Sequence, residues 1–583
     1  LNPRRKLRLG ELLVEQKLLT NEQLQQAVTI QKQRGGQLGW ILVELDILTE
    51  EQILRALSEQ LLLPVIDLRQ FQFESEAVRL LPEVQARRHK AIVLRNDGDA
   101  LVVGMADPTD ILAYDSMRSQ LNRPIKLALV RESELQQAID TVYRRTDEII
   151  TLAEQLGAEI SQGQFDLTQI GTGADASAAD DAPVVRLLHS MFEDASQVHA
   201  SDIHIEPEEN LLRVRQRIDG FLHEQIIDET RIASALVTRL KLMSGLDISE
   251  KRLPQDGRFN IKVKNTRLDV RLSTMPVQHG ESIVMRLLDQ SAGLLSLEES
   301  GMPEDILARF RRLIRRPNGM VLVTGPTGSG KTTTLYGALN EINVPEHKII
   351  TVEDPVEYRL PRINQVQIHT KIELSFSRVL RSALRQDPDI IMVGEMRDPE
   401  TAEIGVRAAM TGHLVLSTLH TNDAISTINR LVDMGVAGYM VATALNAVLA
   451  QRLVRRICDS CAQPYSPTPG ERAWLDMSSG RRVADAKLRH GAGCQYCNHT
   501  GYRGRVGIYE LLEIDRGLAD LLRRGEFREF DRVASKQTGF RTLTQCGVDY
   551  VLRGITTVAE VIRVTGLPDE DPAPLFGNAA STA

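Results

Sequence analysis

VLVTGPTGSGKTTTLYGAL, Val321 to Leu339, runs from an apolar stretch through a glycine loop into a helical pattern. Val321 to Thr324 reads as a buried strand and Thr332 onward as the start of a helix. Between them Gly325, Gly330, Lys331 and Thr332 fit the spacing G-x-x-x-x-G-K-[ST], with a further glycine at Gly328. Glycines at these places let backbone N–H groups turn inward and cradle phosphate oxygens at the positive end of a helix. Lys331 is then expected to reach β- and γ-phosphates and the Thr332 hydroxyl to ligate Mg²⁺. Pro326, Thr327, Ser329 and Thr333 complete the expected phosphate-binding set. A chance glycine-rich turn is the alternative, and the strand before it and helix after it argue against that.

Acidic and histidine-bearing segments follow in the same stretch of chain. KIITVEDPVEY is a strand running into Glu353, Asp354 and Glu357. Carboxylates do not approach a triphosphate without cost, so these are expected to act through Mg²⁺ or an activated water. Ile390 to Val393 is a short apolar strand leading to Glu395, with Gly394 where a magnesium-binding aspartate is often found. Glu395 is therefore expected to orient water or complete the magnesium shell. His413 and His420 bracket another apolar strand, and both are expected to sense the γ-phosphate.

Upstream, LLRVRQRIDG puts Arg213, Arg215 and Arg217 on one face of a strand, and Arg267, Arg271 and Arg286 follow on two more. Such a face is ordinarily solvated; beside a triphosphate, guanidinium forks match phosphate oxygens. Downstream, CDSC and CQYC place Cys458, Cys461, Cys494 and Cys497 in two knuckles. That pattern points to one structural Zn²⁺ in a tetrahedron of thiolates with no open position. Cys546 reads as an ordinary buried cysteine.

The amino-terminal sixty residues repeat. Arg8 to Gln31 realigns on Gln37 to Gln60, with Leu9/Leu38, Gly10/Gly39, Leu13/Leu42, Ala27/Ala56 and Gln31/Gln60 coinciding. Each copy reads as two helices, the second capped by Thr20 or Thr49 with Gln23 or Gln52 three residues on. Two such halves bind a pseudo-symmetric ligand or simply pack together. Residues 63–156 read as an α/β module with a hairpin turning at Asn96 to Asp99; Asp107 faces a ligand or caps the helix that starts near Ile111. Gly157 to Ala182 reads as a flexible linker and 568–583 as a disordered tail.

At 583 residues the chain holds several domains. Its net charge of −8 gives no basic field for nucleic acid. No apolar run is long enough to span a bilayer, so the expectation is a cytosolic protein that meets the membrane through partners.

Taken together these motifs resemble the secretion ATPases of type II secretion and type IV pilus assembly, over about Pro183 to Gly566. The resemblance implies an α/β fold: a RecA-like P-loop core (298–567, with a zinc knuckle at 458–497) preceded by a PAS-like α/β domain (183–297), assembled as a homohexamer. It makes Glu353, Asp354 and Glu357 an aspartate box, Glu395 the catalytic glutamate, His413 and His420 a histidine box, and Arg271 and Arg286 arginines lent to the nucleotide. The repeat (1–62) is similar to the cyclic di-GMP-binding amino-terminal domain of some pilus-assembly ATPases, those of mannose-sensitive haemagglutinin pili among them. That likeness implies a ligand lined by Arg8, Leu9, Gly10, Leu24, Val28 and Gln31, by Leu38, Gly39, Ile53, Leu57 and Gln60, and by Asp107. Lys17 and Asp46 stand where that domain has glycine, and Gln37 where it has arginine. The implied partner is an inner-membrane platform protein. A RecA-like nucleic-acid translocase and a nucleotide-sensing regulator are the alternatives; the acidic charge speaks against the first, and Lys331, Thr332 and Glu395 against the second.

Overall fold

The computed structural model describes residues 9–566 apart from 35–37, 46, 70, 72, 144–145, 162–182, 265, 290–294, 480–482 and 484–486. Arg8, Gln37, Asp46, most of the expected linker and the expected tail lie outside the described residues.

The repeat forms four helices, α1 (Leu9–Glu15), α2 (Asn21–Arg34), α3 (Leu38–Glu44) and α4 (Glu50–Leu61). Thr49 and Gln52 close a capping box on α4, and Thr20 and Gln23 exchange the same pair of bonds on α2. The coinciding pairs Leu13/Leu42 and Ala27/Ala56 are buried at its centre, so the periodicity encodes a shared core. Lys17 takes φ +57°, a left-handed conformation that glycine adopts without strain.

The next module is a three-stranded sheet, β1 (Ala91–Asp97), β2 (Ala100–Met105) and β3 (Ile125–Leu129). Asp97 pairs with Ala100, so the hairpin turns on Gly98 and Asp99 alone, tighter than the four residues expected. The helix Ile111–Leu121 is capped by Asp110, not Asp107.

A correction concerns the linker. Helix Thr146–Ser161 runs through its expected start, and Ile149, Leu152, Ala153 and Leu156 are buried in the core of the second domain beside Leu187, Leu188 and Phe192. Its apolar stripe gives it a partner face, so it belongs to the packed structure through Ser161. That second domain is an antiparallel sheet of β4 (Asp202–Pro207), β5 (Leu212–Ile218), β6 (Phe221–Ile227), β7 (Gln255–Val263), β8 (Thr266–Val277) and β9 (Gly280–Asp289), in the order β6-β5-β4-β9-β8-β7.

The core domain is a seven-stranded sheet built from β10 (Gly319–Thr324), β11 (Ile349–Glu353), β12 (Ile363–Gln367), β13 (Ile390–Val393), β14 (Leu414–Leu419), β15 (Leu445–Ile457) and β18 (Tyr502–Glu513). The order is β12-β11-β13-β14-β10-β15-β18, parallel except for the last pair. Met320 and Leu322 of β10 face one apolar layer and Val321 and Val323 the other, which is why this strand reads as an unbroken apolar run. The parallel strands deliver their carboxyl ends, and the loops after them, to one edge. Between β15 and β18 the chain makes a small excursion with β16 (Ala462–Tyr465) and β17 (Leu488–Gly491). Among the described residues no helix is long and apolar enough to cross a membrane.

Candidate functional site

The glycine loop sits at that edge. Gly325, Gly328 and Gly330 take φ +147°, +78° and +87°. A Cβ on Gly325 would lie 2.4 Å from the Gln451 carbonyl, so the loop closes only with glycine there. The helix Lys331–Ile342 starts directly after it, leaving its first N–H groups free for an anion. Thr332 and Thr333 are exposed on its first turn, as are Pro326, Thr327 and Gly328 on the loop, whereas Ser329 is buried with an unpartnered hydroxyl. The Lys331 ammonium folds back onto the carbonyls of Gly325 and Pro326 at 2.9 and 3.0 Å. Burial, with the nearby Arg452 charge, pushes Lys331 down to about 8 against the pull of Glu395. A triphosphate fits this cradle: it offers the lysine the anion that the loop carbonyls only approximate.

Glu395, just beyond β13, is mostly buried, with Arg397 at 2.5 Å and His420 Nε2 at 3.5 Å. Burial and the Lys331 charge hold His420 below its ordinary range, so it is neutral near pH 7 and able to share a proton with the glutamate. The backbone is tight where the aspartate is missing. A Cβ on Gly394 would sit 3.2 Å from the Val352 carbonyl, and the Gly394 N–H donates to that oxygen at 2.7 Å.

Three expected residues play other parts. His413 is at the amino end of β14, where its carbonyl accepts from Gly319 N–H at the start of β10. A six-residue strand, about 20 Å long, separates it from the glycine loop, so it does not sense phosphate. Glu353 is 3% exposed and accepts from Tyr336 Oη at 2.5 Å, Thr351 Oγ1 at 2.5 Å and Gln365 Nε2 at 3.1 Å. Buried and held by three donors, it braces the acidic loop. Arg271 pairs with Glu357 at 2.7 Å and donates to the Val356 carbonyl, clasping the acidic loop to the second domain. Asp354 is exposed on that loop. Arg286 lines a cleft of about 810 Å³ with Pro326, Thr327 and Gly328 of the glycine loop, paired to Asp202 at 3.1 Å.

The second domain forms the far wall of this cleft. Asp219, at the turn before β6, accepts from Gly504 N–H at 2.7 Å. Phe221 stacks on Arg455 at 3.8 Å, and Tyr502 stacks on the same guanidinium at 4.0 Å.

The four knuckle cysteines converge. All their sulfurs lie within 4.8 Å of one another, with Cys458–Cys494 at 4.0 Å, Cys461–Cys497 at 3.9 Å and Cys494–Cys497 at 3.7 Å. A tetrahedron with Zn–S near 2.3 Å requires S···S of about 3.8 Å. Backbone N–H groups of Cys494 and Gly501 also donate to Cys497 Sγ at 3.2 Å, as expected around a thiolate ligand.

In the amino-terminal region a cleft of about 410 Å³ opens between the repeat and the α/β module. Leu9, Gln31, Leu38 and Gly39 line it, with Ile53, Leu57 and Gln60, and Asp107 faces it from the other side. Asp107 also accepts from Thr109 N–H and Oγ1. Gly10, Leu24 and Val28 do not line it; Gly10 is buried beneath Leu24 and Leu38. Glu50 and Glu132 add two carboxylates, Glu132 ion-paired with Lys90.

Residues 177–563 match the family described as Type II/IV secretion system protein, and residues 61–149 match the MshEN domain. The chain belongs to the type II/IV secretion system protein family. It is 42% identical over 565 residues to the Type IV pilus assembly ATPase PilB of Myxococcus xanthus, covering 96% of this chain and 99% of that one. It is 42% identical over 497 residues to the Type II secretion system ATPase E of Vibrio cholerae, covering 84% and 98%. Among solved structures, the pilus retraction motor PilT with bound ADP is 27% identical over 65% of this chain and 97% of PilT, at a TM-score of 0.46. A structure of MshE with cdg is 41% identical over 24% of this chain and 99% of that one, at a TM-score of 0.23.

This secretion ATPase carries site residues that sequence reasoning missed. Gln451 is buried, donates to the Ser329 carbonyl at 2.6 Å and accepts from Thr334 Oγ1 at 2.8 Å, bracing the glycine loop from β15. Arg452, Arg505 and Arg563 line the nucleotide cleft from the carboxyl-terminal half. No local motif marks any of them, and Gln451 and Arg452 lie more than a hundred residues from the glycine loop.

Proposed function

We propose that this ATPase works as a homohexamer on the cytoplasmic face of the inner membrane. There it drives assembly of a type IV pilus, of the mannose-sensitive haemagglutinin type, or of a type II secretion pseudopilus, under control of cyclic di-GMP. The observation that carries this reading is the nucleotide cleft itself. Its walls are the P-loop edge and a separate domain joined to it by Asp219, Phe221 and Arg271, so a change in phosphate charge bears directly on how the two domains sit. In this mechanism Lys331 and the loop N–H groups bind the phosphates, Glu395 takes a proton from the attacking water, and neutral His420 holds the glutamate in place. Arg286 reports the nucleotide to the PAS-like domain, whose movement pushes on a membrane platform protein.

The cyclic di-GMP reading rests on the MshEN match and on the cleft between repeat and module, where Leu38, Leu57 and Asp107 offer apolar walls and a carboxylate suited to a guanine edge. Mass photometry with a non-hydrolysable ATP analogue tests the assembly: a particle six times the 65.0 kDa chain is expected. A strain lacking the gene should regain fibres or secretion with the wild-type chain and not with Lys331→Ala. Monomers alone under all nucleotides, with normal fibres from Lys331→Ala, would overturn the reading.

A further inference from the structure

Arg452 follows Gln451 on β15, just past the point where Ala450 pairs with Thr324 at the end of β10. It lines the cleft beside Pro326, Thr327 and Gly328. The other arginines of that cleft each have a carboxylate: Arg217 and Arg286 meet Asp202 at 3.7 and 3.1 Å, Arg505 meets Asp219 at 3.6 Å, and Arg563 meets Glu560 at 2.9 Å. Arg452 has none at ion-pair distance among the described residues. Its Nη2 donates to the carbonyl and side-chain oxygens of Asn422 at 3.2 and 3.0 Å, and its buried Nε has no partner. Asp423 and Glu510 act on it only from beyond ion-pair distance; a partly buried guanidinium with an unused donor and no carboxylate in contact is costly, and this one stands near a second cation, Lys331. Such a pair is stabilised when an anion of high charge enters between them.

We propose that Arg452 is a second cation, from the same subunit, for the terminal phosphate of the bound triphosphate. Through Asn422 it ties the presence of that phosphate to the loop carrying His420 and Asp423. In ADP the terminal phosphate is gone, so Arg452 is released and the Asn422 loop loses its restraint. The proposal rests on a triphosphate occupying this cleft, which Lys331→Ala tests separately by abolishing binding of ATP and ADP alike.

The test compares binding of a non-hydrolysable ATP analogue and of ADP, each with Mg²⁺, to the full chain and to Arg452→Gln and Arg452→Lys. Arg452→Gln is expected to weaken the analogue about 10- to 100-fold and ADP less than about threefold, from the loss of a charged hydrogen bond. Arg452→Lys keeps charge without the fork and should fall between. A second readout is the high-pH limb of kcat/KM, which reports Lys331 in the free enzyme with Glu395 and His420 facing it. Removing the neighbouring charge should move that limb to higher pH in Arg452→Gln, which a packing defect would not do. Should Arg452→Gln fail to fold, Arg452→Lys decides alone, with an expected three- to tenfold loss for the analogue and none for ADP. Equal losses for both nucleotides, or no loss for either, would overturn the proposal.

Discussion

Glu395→Gln is expected to lower ATP turnover about 10²- to 10⁴-fold while ATP affinity stays within about threefold of wild type. Glutamine keeps the size of the side chain and can still meet Arg397 and His420, so the surroundings need not rearrange. What it lacks is basicity. Among the acids at this edge, Glu353 is sealed by Tyr336, Thr351 and Gln365, and Glu357 is engaged by Arg271. Neither can substitute without breaking bonds that hold the acidic loop, which leaves Asp354, exposed on that loop near Arg397, as the one acid of the three that is not so held. Single-turnover hydrolysis with labelled ATP, beside equilibrium binding, separates the two effects; wild-type turnover in the variant would move the general base to another residue.

Removing the metal from the four-cysteine site is the second large effect. The purified chain should hold about one zinc, and Cys494→Ser should reduce that to near zero, because three thiolates bind far less tightly than four. Without metal the turn Gln495–Cys497 loses its anchor, and the neighbouring Tyr502–Arg455–Phe221 stack, which joins the second domain to the core, loosens with it. Amide exchange in 458–461 and 488–501 is expected to accelerate by at least about 100-fold. ATP binding should stay within about threefold, since no cysteine lines the nucleotide cleft. Unchanged exchange in a zinc-free chain would mean that the thiols hold the knuckle without a metal.

The most legible parts of this protein were those where one local pattern fixes both structure and chemistry. The glycine loop needed Gly325, Gly328 and Gly330 at positive φ, and the strand before it had to be apolar on both faces. The cysteine spacing was legible for the same reason: each knuckle is local, and metal geometry supplies the long-range contact. Residues misread in sequence were those whose role depends on which end of a strand they occupy. His413 and His420 flank the same strand, yet only the second reaches the edge where phosphate binds. Glu353 reads like an active acid until Tyr336, seventeen positions earlier, is seen to cover it. The last turn of helix Thr146–Ser161 reads as linker because the stretch from Gly157 to Ala182 is rich in small and polar residues without apolar periodicity, and the rest of it reads as part of the preceding module; its apolar stripe has meaning only against a domain that begins further along the chain. Gln451 and Arg452 carried no local motif at all, since parallel pairing of β15 with β10 puts them at the loop.

Steady-state ATP turnover by the full chain, titrated with cyclic di-GMP beside Arg8→Ala, tests the central claim most directly. A messenger-controlled motor predicts a saturable change in the wild-type rate, with a midpoint equal to the calorimetric affinity, and no response in the variant. A flat rate in the wild type, with no heat of binding at the cleft formed by Leu38, Leu57 and Asp107, would contradict it and leave a motor that runs without the messenger.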